Sequence, residues 1–351
     1  MTAAAEALRR GRRAFPLTWG TGSIGLGAVA VVALIPLVYR DQYILSLIVT
    51  TFILITLNSS WNFLLGVAGV WNFGHLAIYA AGGYGAGLVM IHSGVSAWLA
   101  LLGGGLGAAL ISIALAFPTL RLFGIYTSLL TFSFAQVIQF VILNDNSGIT
   151  GGTFGLPLVR GLFPSLSPLG SMRAYYWTSL AVAALTVLAV AWIIHTRLGL
   201  ALRAVRDSLA YGAARGVSAL RYRVLAFGVS GFMAGIAGGL YASFNGSIQP
   251  SVMGLTAMSI YVTMLVIGGL GTVFGPVLGT ALLMIIQTSL VDHPAVELTI
   301  LGSVLLVIVV FFPRGLIGEI GTLRRRVRDW LSEGGTHETE ETEGGARDDL
   351  A

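Results

Sequence analysis

The stretch "LALLGGGLGAALISIALAF", Leu99 to Phe117, runs nineteen residues without a charge, a proline or an amide side chain. As a helix it rises about 1.5 Å per residue and covers roughly 28 Å, close to the hydrocarbon thickness of a bilayer. Hydrocarbon offers the backbone no hydrogen-bond partner, so a spanning run of this kind is satisfied only by pairing within itself. Comparable apolar runs recur at Ile24 to Val38, Ile44 to Leu57, Ile125 to Leu143, Tyr175 to Ile194 and Val296 to Phe312. Over 351 residues the chain is 56% hydrophobic and 10% charged, where an average soluble domain is roughly 25% charged. This excludes an ordinary globular enzyme and predicts an all-α integral membrane protein.

Charge sets the expected topology. All twenty basic residues are arginine. Sixteen fall at 9–13, at Arg121, at 197–223 and at 314–328, whereas the intervening loops hold only Arg40, Arg160 and Arg173. By the positive-inside rule the richer set is cytoplasmic. About ten transmembrane helices satisfy the alternation, at roughly 22–39, 43–66, 74–92, 96–117, 123–143, 174–195, 223–243, 255–271, 274–291 and 296–312, with both termini in the cytoplasm. Arginines precede the first run as in a secretory leader, but no small-residue cleavage site follows, so it is expected to be retained as a span. The organisation read from this is a cytoplasmic segment at 1–21, a membrane domain at 22–318 and an acidic tail at 319–351 that lacks apolar periodicity and is expected to be disordered.

Two stretches interrupt the helical pattern. "LLGVAGVWNFGH" (64–75) and "IGGLGTVFGPVLG" (267–279) place glycine and proline at membrane depth. They read either as broken or re-entrant backbone lining a cavity or as tight turns at the interface. The outward segment 144–173 is rich in glycine, proline and serine and suits a short surface helix or an edge for an external partner.

The expected spans hold no Asp, Glu or Arg in their middle, which argues against proton-driven secondary transport. Their polar residues are uncharged: Asn58, Asn62, Asn72, His75, Gln136, Gln139 and Asn144. Asn62, Asn72, His75, Gln136 and Gln139 are candidates for lining a translocation path. For Gln136 and Gln139, which at i and i+3 share one helical face, the competing reading is that they bridge neighbouring helices, a use worth about 0.6 to 2 kcal/mol; for His75 it is a hydrogen-bonded packing role. No zinc-protease HExxH, paired carboxylates or Ser/His/Asp grouping is present, so the chain is not expected to be an enzyme or to hold a metal or cofactor. Without cysteine it has neither disulfides nor thiolate metal sites. A Walker A loop needs a lysine, and the chain has none, so ATP and its Mg would have to be handled by another chain. Glycines at four-residue spacing (Gly231, Gly235, Gly239; Gly271, Gly275, Gly279; Gly83, Gly87) read as close helix packing.

The segment "RLGLALRAVRDSLAYGAARGVSALRYR" (197–223) carries six arginines against Asp207. Leu202, Val205, Leu209 and Ala213 recur at helical spacing while Arg203, Arg206 and Asp207 lie off that stripe, which predicts an amphipathic helix over Leu200 to Ala214. Gly216 fits its C-terminal cap, and Val217 to Tyr222 reads as a second short turn. Such a helix lies on anionic lipid or lays its apolar stripe into a groove on a cytoplasmic partner.

The blocks "LLGVAGVWNFGHLAIYAAGGYGAGL" from Leu64, "RLFGIYTSLLTFSFAQVI", "GITGGTFGL", the arginine-rich segment with its flanks, "VIGGLGTVFGPVLG" and "FFPRGLIG" occur in this order over Ile44 to Gly318. In these the sequence resembles the permease subunits of ABC importers of the branched-chain amino acid (LIV-system) family, which also includes urea and short-amide importers, and it looks like the longer of the two permease types. The resemblance implies that loop 196–223 couples to ATPase subunits, with Arg206, Asp207 and Ser208 beginning the coupling segment and Gly216 at its glycine; Leu202, Arg203, Val205 and Leu209 complete the expected set. Leu209 stands where the family usually has glutamate, which makes the expected contact more apolar. In "TGGTFGL" Thr153 holds the small polar place, a further path candidate, and Phe154 stands where an acidic or amide residue is usual.

The function expected from this is a transmembrane subunit of an ATP-driven importer for branched-chain amino acids or a related small solute. Its implied partners are a second permease, two ATPases and an extracytoplasmic solute-binding protein, in the plasma membrane of a prokaryote; nucleic acid is not among them. The alternative is an ATP-independent channel or facilitator, which would have no need of an amphipathic arginine helix bound to a partner.

Overall fold

The computed structural model describes residues 41–289 except 123, 158 and 160, with a few positions beyond, among them 315–318. Its elements in chain order are α1 (Gln42–Asn62), continued by a π-turn at Phe63–Val67, then α2 (His75–His92), α3 (Ala97–Thr119), α4 (Ile125–Leu143), α5 (Pro168–His195), α6 (Arg197–Asp207), α7 (Leu209–Ala214), α8 (Ala219–Asn245), α9 (Leu255–Gly268) and α10 (Gly275–Ser289). The first and last expected spans, 22–39 and 296–312, both termini and the acidic tail lie outside the described residues.

Among the described residues, five helical segments are long and apolar enough to cross a membrane: Gln42–Val67, Ala97–Thr119, Ile125–Leu143, Pro168–His195 and Ala219–Asn245. The chain is an all-α membrane protein, with one small exception to that class. Leu156–Pro157 and Ser247–Ile248 form a two-stranded antiparallel pair, β1 and β2, joining loops that the charge pattern assigns to the same outer face. Expected spans 43–66, 74–92, 96–117 and 123–143 agree with α1 to α4 within a few residues. α5 starts six residues earlier than expected, capped by Ser167 with Pro168 in its first turn. α8 begins at Ala219, so the expected separate turn Val217 to Tyr222 is instead the entry of a long helix. α9 spans only 14 residues, about 21 Å of rise, and is preceded by a 3-10 turn at Pro250–Met253 rather than by more helix.

α2 owes its place to composition. Gly82, Gly83, Gly85 and Gly87 dilute its hydropathy, yet His75, Leu76, Ile78, Tyr79, Tyr84 and Met90 on it are buried. It packs against α3 and α8, and α8 packs in turn against α1, which meets α5 on one side and α10 on another. Glycine makes the approach of α3 and α8 close enough. A Cβ on Gly235 would stand 2.5 Å from the Ala108 Cβ and 2.9 Å from the Gly105 Cα, while Gly231 faces Ser112 and Gly239 faces Leu101. Ser112 Oγ donates to the Phe227 carbonyl at 2.7 Å and Ser230 Oγ to the Ser60 carbonyl at 2.7 Å, so the same close rows carry interhelical hydrogen bonds.

On the side that the charge pattern assigns as outer, Trp98, Phe163, Tyr175 and Phe244 form an edge-to-face series with centroids 5.3 to 5.7 Å apart. Tyr175 Oη accepts from the Leu162 amide at 2.7 Å and donates to the Ser243 carbonyl at 2.9 Å, fixing the outer loop to the end of α8. Aromatic rings with one polar tip suit the membrane interface.

Gly235→Leu overpacks the α3–α8 contact, and overpacking costs about 1–3 kcal/mol. It should lower the thermal midpoint of the detergent-solubilised protein, read by tryptophan fluorescence. Gly103→Ala, where a Cβ meets nothing within 4 Å, should leave that midpoint in place.

Candidate coupling and translocation site

The arginine-rich segment folds back against the end of α5. Gly199 permits the turn, because a Cβ there would overlap Ile193 and Ile194. Arg203 donates from Nη2 to the Ile194 carbonyl at the C-terminal end of α5, and from Nε to the Gly199 carbonyl of its own helix at 3.4 Å. Leu202 and Val205 are 0% and 2% exposed. The expected continuous helix Leu200 to Ala214 is two helices, broken at Ser208, whose extended backbone (φ −161°, ψ 117°) turns α7 away from α6.

That break corrects the reading of the apolar stripe. Leu202 and Val205 anchor α6 in this chain's own core, while Leu209, at 41% exposure, and Ala213 face outward. A single stripe through all four residues would require one unbroken helix. What the segment presents outward is Arg206, Asp207, Ser208, Leu209, Ala210, Ala213 and Arg215. Gly216 closes α7 as expected, at φ +74°. Its amide donates to Ala213 and the Val217 amide to Gly212, a Schellman pattern that needs the left-handed backbone glycine accepts. Arg206 Nε bonds Asp207 Oδ1 at 2.9 Å, and both side chains are exposed; such a surface pair adds at most about 1 kcal/mol. Arg206 Nη1 reaches back to the Gly66 carbonyl at 2.8 Å.

The six path candidates separate into three settings. Asn62, Asn72 and His75 are buried. Asn62 Oδ1 accepts from the Gly271 amide at 2.8 Å and Nδ2 donates to the Thr272 carbonyl at 2.7 Å. Asn72 Oδ1 accepts from the Gly74 amide at 2.9 Å. His75 Nε2 lies 2.9 Å from Ser60 Oγ, and its ring stacks on Trp61, whose Nε1 donates to the Asn72 carbonyl at 2.7 Å. These three therefore stitch interrupted backbone and adjacent helices together. Gln136 and Gln139, by contrast, line a shallow groove with Val137, Phe140 and Leu143 on α4. Gln139 also donates to the Pro250 carbonyl at 3.1 Å. Thr153 is exposed in the outer loop, clear of that groove's lining.

α4 buries only Thr127, Thr131 and Ala135, a narrow stripe at four-residue spacing. Its remaining apolar surface, including Leu129, Val137, Phe140 and Val141, is open. Asn58 stands among the polar residues of the expected spans but not among the path candidates, and Thr131 is in neither set. Asn58 Nδ2 donates to Thr280 Oγ1 at 2.8 Å, tying α1 to α10. Thr131 Oγ1 accepts from the Phe73 amide at 3.0 Å, tying α4 to the break before α2. A buried threonine opposite a non-helical amide leaves little mark in sequence, because threonine is common in any helix.

Asp145 organises the outer loop. Its Oδ1 accepts from the Ser147 amide at 2.9 Å and from Ser147 Oγ, and Oδ2 from Thr150 N and Oγ1, each at 2.6 Å. Beyond it the 3-10 turn Gly152–Phe154 presents Phe154 at 90% exposure.

A family model described as "Branched-chain amino acid transport system / permease component" matches residues 43–312. The chain belongs to this permease family. The high-affinity branched-chain amino acid transport system permease protein LivM of Salmonella typhimurium (strain LT2) is 27% identical to it over 290 residues, covering 76% of this chain and 68% of that protein. The corresponding permease protein LivH of Escherichia coli (strain K12) is 25% identical over 281 residues, covering 74% and 89%. The autoinducer 2 import system permease protein LsrC of Yersinia pseudotuberculosis (strain IP 31758) is 34% identical over 156 residues, covering 41% and 42%. No solved structure matches. The matched range of the permease takes in both glycine breaks, the arginine-rich segment and the α4 groove.

The hydroxyl and amide donors of Ser147 and Thr150 hold the Asp145 carboxyl well below the usual carboxylate range. A depressed carboxylate contributes order above its unfolded value, about 3.9, and loses it as pH falls through the lower folded value. Amide hydrogen exchange at Ser147 and Thr150 should therefore stay protected at about pH 4. Asp145→Asn should lose that protection at neutral pH.

Proposed function

We propose that this permease is a membrane subunit of an ATP-driven importer for branched-chain amino acids or a chemically close small solute. It would pair with a second permease, two ATPases and an extracytoplasmic binding protein in a prokaryotic plasma membrane. Family membership supports the permease role, and the names of the LivM and LivH relatives support the solute class. The observation that carries the ATP-driven reading is the exposed rim that begins at Arg206 and continues on α7 to Ala213, joined to α6, whose Leu202 and Val205 are sunk in the chain's core.

A loop that merely oriented the protein would not need this anchoring. Leu202 and Val205 bury α6, Arg203 bonds it to the end of α5, and the Schellman turn at Gly216 fixes the exit into α8. Force applied to Leu209 or Ala213 would reach α5 and α8 through packed side chains. ATP and Mg would be bound by the partner chains, and this chain would supply the coupling surface and part of the path.

The α4 groove is the favoured path element. Gln136 and Gln139 offer amide donors and acceptors beside Val137, Phe140 and Leu143, a combination suited to a zwitterion with an aliphatic side chain. The open face of α4 would then meet the second permease, closing the groove into a path between the two subunits.

Two substitutions test this in proteoliposomes holding the assembled transporter. Leu209→Asp should lower ATP-dependent uptake about tenfold, the effect of losing ~1.4 kcal/mol of contact, with membrane insertion unchanged. Wild-type uptake would count against docking at this rim. Gln136→Leu should raise the KM for solute while leaving ATPase recruitment intact, and unaltered kinetics would assign Gln136 to packing.

A further inference from the structure

The two glycine breaks, far apart in sequence, are in contact. A Cβ on Gly66 would overlap the backbone of Gly271 and stand 2.8 Å from Asn62 Oδ1. Asn62 closes the contact by accepting from the Gly271 amide and donating to the Thr272 carbonyl. The loop it grips is closed on itself: Thr272 Oγ1 donates to the Gly269 carbonyl at 2.8 Å and accepts from the Gly275 amide at 3.1 Å. Gly271, at φ +77°, turns the chain there.

The Gly66 carbonyl also receives Arg206 Nη1 at 2.8 Å. The aliphatic stem of Arg206 lies over Gly69, where a Cβ would overlap it, and Gly69 has the left-handed backbone of φ +70°. Gly66 thus touches both the arginine-rich segment and the α9–α10 loop. A long side chain at 38% exposure has water available to it, so holding it on a carbonyl of its own chain costs rotamer freedom that solvation alone would not demand. Arg206 is also the last arginine of α6, beside the exposed rim.

We propose that Arg206 and Asn62 are positioning residues that bind α6, the π-turn ending α1 and the α9–α10 loop into one moving unit. Displacement of the rim by an ATPase is thereby delivered to α9 and α10. The inference deepens the importer reading and rests on it for the source of the displacement; the mechanical linkage itself is a property of this chain.

The test uses the absence of cysteine in the chain. Ala210→Cys and Leu270→Cys, both at exposed positions, accept spin labels, and pulsed electron paramagnetic resonance reads the distance between them in the complex assembled in nanodiscs. With Arg206 and Asn62 in place, the distance distribution should be narrow and keep its mean with and without ATP. Arg206→Ala should broaden it and lower the solute taken up per ATP hydrolysed about five-fold. Asn62→Ala should do the same. Because Arg206 is exposed, its variant remains informative even if the buried Asn62 variant fails to assemble.

Arg206→Lys separates linkage from surface charge. It keeps the cation facing a partner but not the planar fork that serves Gly66 and Asp207 together, so it should follow Arg206→Ala. A lysine variant with wild-type uptake, or an unbroadened distance in Arg206→Ala, overturns the linkage. Failure of the unsubstituted complex to import with ATP overturns the importer reading instead, and the label distances still decide the linkage.

Discussion

Hydrocarbon supplies no hydrogen bonds, so each interruption of a spanning helix must find partners within the protein. This constraint orders the architecture. Where α1 ends in its π-turn, Gly66 is served by Arg206; where α9 gives way to α10, Gly271 and Thr272 are served by Asn62; where α9 is preceded by a 3-10 turn, Pro250 is served by Gln139; and before α2, Phe73 is served by Thr131. Each served group belongs to a different element from the residue serving it. Local irregularity is thereby converted into tertiary connection.

The same economy separates two duties within the arginine-rich segment. Residues with apolar or carbonyl-seeking side chains, Leu202, Val205 and Arg203, hold it to the membrane bundle. Residues past Ser208 carry the exposed surface. A helix that offered its whole apolar stripe to a partner would be anchored by its ends alone, and displacement would bend it before moving α5 or α8. The extended backbone at Ser208 lets one segment be rigid inward and accessible outward.

Much of this was legible in the sequence because lipid makes hydropathy a strong signal. The helices from Gln42 to Leu143 lie within a few residues of the apolar runs, and glycines at Gly231, Gly235 and Gly239 pack as their spacing implies. The two irregular stretches were also visible, from glycine and proline alone. Their contact with each other was not, because a pairing between residues 66 and 271 depends on tertiary approach and leaves no periodicity. The apolar stripe was misassigned for a related reason: Ser208 is unremarkable in sequence, and helical spacing continued through it. Asn62, Asn72 and His75 read as path-lining groups because an amide or imidazole in a span is costly unless partnered; each bonds backbone or a neighbouring serine, while Asn72 Nδ2 and His75 Nδ1 stay buried without a partner. Gln136 and Gln139, one helical face by their spacing, do share an open groove.

The measurement that bears most directly on the account is photo-crosslinking from the exposed rim in native membranes. A benzophenone carried on Ala213→Cys, in a chain with no other cysteine, samples whatever covers α7. The account predicts a discrete adduct with a nucleotide-binding subunit, identified by mass spectrometry and altered in yield by ATP. Adducts with lipid alone, unaffected by ATP, would contradict it and return the arginine-rich segment to the membrane surface.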